Sequence, residues 1–196
     1  MRLVLVLVVG LGLLSSRVDA AEKQLKPFVA LTFGGGTTLL DLEDTSARSH
    51  PAIGVGGAML WDLFGFDVDL AHVPGVFQSK NQTLVLDSSV TTLTGSFIIT
   101  LPRRMTEYVL RPYFVGGGGL MRVRIDDVFE ALPVRKTLPT INIGGGATGF
   151  LTSRWGVSWD VRYFRGASRD TKGLSIGSER LSFWRANMAV VLRLGT

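Results

Sequence analysis

Residues 155–165 read WGVSWDVRYFR, and this stretch decides the fold. One set of alternate side chains is Val157, Trp159, Val161 and Tyr163, and the other is Ser158, Asp160, Arg162 and Phe164. Successive side chains of a strand point to opposite faces, so a period of two predicts a β-strand. One face of this strand is apolar, and the other carries charge.

Three other stretches alternate in the same way. Their apolar positions are Phe66, Val68 and Leu70; Leu93, Phe97, Ile99 and Leu101; and Trp184, Met188, Val190, Leu192 and Leu194. Four further extended stretches are rich in glycine and alternate weakly. The sequence therefore predicts an all-β chain with strands near 27–36, 51–60, 65–73, 89–101, 110–123, 139–151, 156–165 and 181–194.

The connections between these strands differ in length. Long ones (37–50, 74–88, 124–138 and 166–180) alternate with short ones (61–64, 102–109 and 152–155). Alternate connections of an up-and-down barrel lie at opposite rims, so the long ones share one rim and the short ones share the other. This asymmetry is typical of outer-membrane barrels. We therefore predict an eight-stranded antiparallel up-and-down transmembrane β-barrel.

Aromatic positions help to distinguish this barrel from a soluble, lipocalin-like one, which remains the alternative. The residues expected at the two membrane interfaces are Trp61, Tyr108, Tyr113 and Trp155 on the short-turn side and Tyr163 and Trp184 on the long-loop side. Two bands of amphipathic aromatics at the ends of apolar faces fit the two interfaces of a bilayer. The positions therefore favour a membrane barrel.

The N-terminus has the pattern of a secretory signal peptide. Arg2 is followed by the uncharged run Leu3–Leu14 and by the small-residue site that ends at Ala20. We predict a signal peptide over residues 1–20, cleaved after Ala20 or alternatively after Ala21, and a barrel domain over residues 21–196. The chain has no cysteine. A lipoprotein anchor and disulfide bonds are therefore excluded.

Two other motifs do not predict a cofactor or a nucleic-acid partner. Residues 144–149 match G-x-G-x-x-G, but a turn and another strand follow, whereas a dinucleotide site needs a helix there. The net charge of +5 comes with no basic helix and no aromatic stacking sheet, which argues against nucleic acid.

The polar faces of the strands should point into the barrel. This set includes the charged residues Asp67, Asp69, Asp160, Arg162, Arg185 and Arg193. They could line an ion or solute path, or they could pair with one another and fill the lumen. An eight-stranded barrel encloses little more than its own side chains, so a plug of paired charges is the favoured interpretation.

The two histidines do not indicate catalysis. Pro51 follows His50, and Val73 and Pro74 follow His72, so no convergent nucleophile and base can be assigned. We predict no catalytic residue, no metal site and no enzymatic activity. An outer-membrane enzyme that modifies lipid remains a weaker alternative.

Residues 142–163 and 111–118 resemble the late strands of the small outer-membrane β-barrel family, which includes the OmpA transmembrane domain, OmpX and OmpW. The first stretch is a glycine-rich strand, a short turn and an alternating strand that ends in Arg-Tyr, and the second reads RPYFVGGG. The resemblance implies the outer membrane of a Gram-negative bacterium, insertion by the assembly machinery, and contact with outer-membrane lipid and lipopolysaccharide. One departure is the C-terminal sequence LRLGT, since such barrels usually end on an aromatic residue.

Members of that family include adhesins, structural anchors, small hydrophobic-solute channels and lipid-modifying enzymes, so the resemblance leaves function open. With a plugged lumen, we expect a structural or surface-interaction role. The alternatives are a narrow channel for small or hydrophobic solutes, a lipid-modifying enzyme and a soluble periplasmic binder.

Overall fold

The computed structural model describes residues 21–37, 49–75, 85–101, 110–127, 134–168 and 179–194. Its strands are β1 (Glu22–Thr37), β2 (His50–Leu60), β3 (Phe64–Pro74), β4 (Val85–Thr100), β5 (Leu110–Asp127), β6 (Val134–Phe150), β7 (Trp155–Ser168) and β8 (Glu179–Leu194). The predicted signal peptide and Tyr108 lie outside the described residues.

The eight strands form a closed barrel. Each strand pairs in antiparallel fashion with the next along the chain, and β8 pairs with β1. At this seam, Lys23 near the start of β1 lies opposite Leu194 at the end of β8. The predicted all-β, up-and-down architecture with eight strands is confirmed. The described residues contain no helix of the length and apolar character needed to cross a membrane.

Several strands extend beyond their predicted ends. β5 continues to Asp127 and β6 begins at Val134, so the predicted connection 124–138 shrinks to 128–133. It is shorter than the connection 101–109 on the other rim, and the predicted strict alternation of long and short connections is therefore wrong. The segment 124–138 carries several charged residues, and the ends of strands can carry charge as well as loops can.

β1 begins at Glu22, five residues before its predicted start at residue 27. The additional residues of the strand include Glu22, Gln24 and Lys26, which face inward and are buried. Sequence analysis missed this segment because Lys23, which faces outward between Glu22 and Gln24, conceals the period of two.

The outer surface of the barrel is apolar. Its exposed side chains include Phe114, Ile143 and Val29, with exposed fractions of 75%, 67% and 61%. Most of the buried polar and charged residues face inward instead. A soluble barrel would place its apolar face inside, so this arrangement is the one expected for a barrel surrounded by lipid.

The interior has an apolar layer near the long-loop end and a charged layer below it. The apolar layer consists of Ala52, Val73, Val90, Met121, Val123, Leu138, Phe164, Leu181 and Phe183, all buried. The order along the strands separates the layers: on β7, the inward-facing Asp160 and Arg162 precede Phe164, and on β3, Asp67 and Asp69 precede Val73. A smaller apolar cluster, which includes Leu60, Ile98 and Val115, lies toward the short turns.

Candidate functional site in the barrel interior

Six charged side chains from four strands meet in the charged layer. They are Lys26 of β1, Asp67 and Asp69 of β3, Asp160 and Arg162 of β7, and Arg185 of β8. None is more than 6% exposed. Three are basic and three are acidic, so the set, which we call the central charge network, is balanced in formal charge. Buried charges require such pairing because removal from water is costly.

Arg162 lies at the centre of this network. Its Nη2 donates to Asp67 Oδ2 at 2.9 Å, and its Nε donates to Asp160 Oδ1 at 3.0 Å. The planar guanidinium thus connects β7 to β3, which is separated from it by three strands in the barrel order. An arginine can do this because its donors form a rigid fork that fits carboxylates.

Arg185 forms the second strong pair and borders the apolar layer. Its Nη2 donates to Asp69 Oδ1 at 2.7 Å, and its Nη1 donates to Thr92 Oγ1 at 3.3 Å. Its guanidinium carbon lies 4.5 Å from the ring centroid of Phe164 and 5.2 Å from that of Phe28. Cation–π contacts of this kind let a buried guanidinium pack against apolar residues.

Lys26 adds a second cation to Asp67. Its Nζ lies 3.6 Å from Asp67 Oδ2 and 5.9 Å from the ring centroid of Tyr113. The sequence analysis did not include Lys26, since its strand was predicted to begin one residue later. The inward series Glu22, Gln24 and Lys26 was the available signal.

Tyr113 does not lie at a membrane interface, and that prediction is wrong. It is 6% exposed and faces the lumen. Its hydroxyl donates to Asp160 Oδ2 at 2.8 Å and lies 3.1 Å from Ser158 Oγ. The next residue, Phe114, faces outward, and neighbouring residues of a strand cannot both do so. Asn187 Nδ2 also donates to Asp160, at 2.7 Å.

Four other aromatics of the predicted interface sets lie outside the lumen. Trp61 is half-buried in the turn between β2 and β3, and Trp155 is exposed at the start of β7. Tyr163 and Trp184 are neighbours on β7 and β8, with ring centroids 5.1 Å apart.

Arg193 does not join the central charge network, which corrects its predicted place. It lies at the short-turn end, where its Nε is 2.8 Å from Glu22 Oε1 and its Nη1 donates to Ser153 O at 2.9 Å. Its guanidinium carbon lies 3.9 Å from the Phe150 ring centroid. Arg193 lies too near the end of β8 to reach the central acids.

The glycines of β6 make room for the charged side chains. Gly144 and Gly146 lie directly opposite Arg162 and Asp160 on β7. A Cβ atom at Gly146 would overlap the Cβ of Asp160, and one at Gly144 would lie 2.9 Å from Cγ of Arg162. The G-x-G-x-x-G pattern is therefore explained by packing inside a narrow barrel.

The histidines lie away from the network. His72 is exposed, with Nδ1 2.9 Å from Thr91 Oγ1, and His50 lines a small cavity at the long-loop end with Thr32 and Phe183. Within the described segments, no three His, Asp or Glu side chains are grouped so that they could hold a metal ion.

A closed eight-stranded barrel with an apolar outside and a polar interior is the fold of the small outer-membrane β-barrels. Solved structures share it. Neisserial surface protein A matches with a TM-score of 0.65 and 12% identity, over 90% of this chain and 100% of that one. OprG of Pseudomonas aeruginosa matches with a TM-score of 0.58 and 14% identity, over 91% of this chain and 98% of that one.

The N-terminal β-barrel domain of Pseudomonas aeruginosa OprF has a TM-score of 0.52 and 15% identity, over 89% of this chain and 98% of that one. No protein-family model and no curated protein sequence matches the chain. These likenesses show the fold, and they support an outer-membrane location.

Proposed function

We propose that the protein is an integral outer-membrane barrel with a structural or surface-interaction role, and that its own side chains close the lumen. The observation that carries this proposal is the central charge network. Three of its ion pairs, with N···O distances of 2.7 to 3.6 Å, cross the interior from β1, β7 and β8 to β3. A passing ion would have to separate these pairs in a site that is nearly free of solvent.

The apolar layer adds a second barrier in series. Phe164 and Phe183 stack with ring centroids 5.4 Å apart, and their exposed fractions are 0% and 5%. A charged solute that enters from the long-loop end would meet this layer before it met the charges. The side chains of the apolar layer would not compensate the cost of removing a charge from water.

With a closed lumen, the outer surface and the connections between strands are the parts that can meet partners. The connections 38–49, 75–84, 128–133 and 169–178 share one rim, which in outer-membrane barrels is the extracellular one. The proposal includes export with loss of residues 1–20, insertion by the assembly machinery, and contact with outer-membrane lipid and lipopolysaccharide. It includes no catalytic activity; the separate locations of the histidines support this.

The test is conductance in planar lipid bilayers. Protein refolded in detergent should run faster on an SDS gel unboiled than boiled, and should then give no discrete current steps at high protein concentration. F164A/F183A should also be silent, because the charge network remains. The triple variant R162A/F164A/F183A should conduct, because both the apolar layer and the central charge network are then weakened.

Discrete steps from the wild-type protein would contradict the proposal and favour a narrow channel. A protein that is β-rich and soluble without detergent, with no band shift, would contradict the membrane location itself.

A further inference from the structure

A compact cationic surface lies on the outside of β5 and β6, near the long-loop end. Arg122 lies opposite Thr137, and Arg124 lies opposite Arg135, so the four residues form a rectangle on two adjacent strands. All four side chains are exposed. We call these residues the Arg–Thr quartet.

The quartet places three guanidinium groups and one hydroxyl group close together. Arg124 and Arg135 are direct cross-strand neighbours, and like charges in that position destabilise a sheet. Arg122 and Arg135 make no ion pair or hydrogen bond through their side chains to any residue that the structure describes. On the other side of β5, Thr91 and Ser89 of β4 lie next to Arg122 and Arg124 and add hydroxyl groups. Arg124 already has an interaction of its own. An anion with several oxygens would satisfy the donors of Arg122 and Arg135.

The height of the quartet places it in the headgroup region. Arg122 and Arg124 are twelve and fourteen residues beyond Leu110, the first outward-facing apolar residue of β5. At about 3.3 Å per residue and a strand tilt of about 40°, they lie about 30 and 35 Å above it. The apolar band of such a barrel is only about 25 Å tall. The arginines therefore lie above the hydrocarbon.

The outward-facing arginines near the long-loop end whose side chains the structure describes lie on one side of the barrel, on β5, on β6 and, with Arg165, on β7. Near the long-loop end of β8, β1, β2 and β3, the outward-facing residues with described side chains are Ser182, Gly36, Pro51, His72 and Pro74. None of these is Lys or Arg. An even girdle of charge would suit any anionic surface, whereas a single compact patch suits one bound molecule.

We propose that the Arg–Thr quartet binds the phosphate-bearing headgroup of a lipid in the outer leaflet. Guanidinium groups bind phosphate oxygens in bidentate fashion, and the threonine hydroxyl can donate to another oxygen. Below the quartet, Leu120 and Ile141 are 52% and 65% exposed and offer an apolar surface to the acyl chains. This adjacency favours a lipid over free phosphate. The proposal rests on the membrane location proposed above.

The experiment compares wild type, R122Q/R135Q and the control K23Q/R154Q, each folded in zwitterionic detergent. Lys23 and Arg154 are exposed at the opposite, short-turn end. Each protein is titrated with lipid A that carries two phosphates, and bound lipid is counted by native mass spectrometry. R122Q/R135Q should bind about 30-fold more weakly than wild type, since each cation near a lipid surface contributes about five- to sixfold. The control should bind like wild type.

Equal binding by wild type and R122Q/R135Q would overturn the proposal. Equal binding of lipid A without phosphates, or full competition by millimolar inorganic phosphate, would also overturn it. The gel shift between unboiled and boiled protein is recorded for every variant, so loss of lipid binding in a folded barrel is distinguished from failure of the membrane location.

Discussion

The two layers of the interior are built on different principles. In the central charge network, each side chain has a specific partner, and removal of one leaves a charge buried without compensation. In the apolar layer, residues such as Met121 and Leu138 fill space, and their neighbours can partly close a gap. The charged layer therefore defines which strands face one another across the lumen, whereas the apolar layer excludes water.

The largest effect is expected at the centre of the network. R162M keeps the volume of the side chain but leaves Asp67 and Asp160 without their main cation, and it should lower the free energy of unfolding by about 4 kcal/mol. Urea unfolding of the barrel in lipid vesicles measures this. R154M, in an exposed turn, is the control and should change stability by less than about 0.5 kcal/mol. A loss of under 1 kcal/mol at Arg162 would mean that the charges do not stabilise one another.

A smaller effect is expected in the apolar layer. L138A removes a side chain that is 1% exposed, and it should lower the free energy of unfolding by about 3 kcal/mol through lost packing and a residual cavity. On the same strand, I141A changes an outward residue, and mobile lipid chains can fill the space. It should cost less than half as much in the same urea assay. Equal losses would show that the interior layer is no better packed than the lipid contact.

The smallest effect is expected at the border of the network. Y113F removes the hydroxyl that donates to Asp160, and it should cost about 1 kcal/mol, the usual net value of a hydrogen bond. Y163F removes the same group from an outward-facing ring and is the matched control. If the two variants unfold at the same urea concentration, Tyr113 contributes only as an apolar ring.

The strands that alternate clearly could be predicted from the sequence, and with them the inward faces of Asp67, Asp69, Asp160, Arg162 and Arg185. Alternation is local information, because a strand displays its two faces without reference to its partners. Where glycine or lysine interrupts the period, as in β1, the start of the strand was misplaced and Lys26 was missed.

The pairing of these residues could not be predicted in the same way. Arg162 and Asp67 are 95 positions apart in the sequence, and their contact depends on the register of every strand between them. Tyr113 shows a related failure, since its distance from the end of a strand suggested an interface while its face was not considered. The pairing depends on register, which no single segment encodes, whereas the face of Tyr113 is local information that the weak alternation of the glycine-rich β5 obscured.

The long sequence separation of the ion pairs also has a consequence for the order of folding. The pairs Arg162–Asp67 and Arg185–Asp69 join residues 95 and 116 positions apart, and β8 must meet β1 before the wall around them is complete. Contacts between residues so far apart in the sequence form late. Closing the long loop between them costs conformational entropy before the contacts can compensate for that cost. Until the seam closes, these charges face an open, hydrated trough, and the last step of assembly is the expulsion of that water.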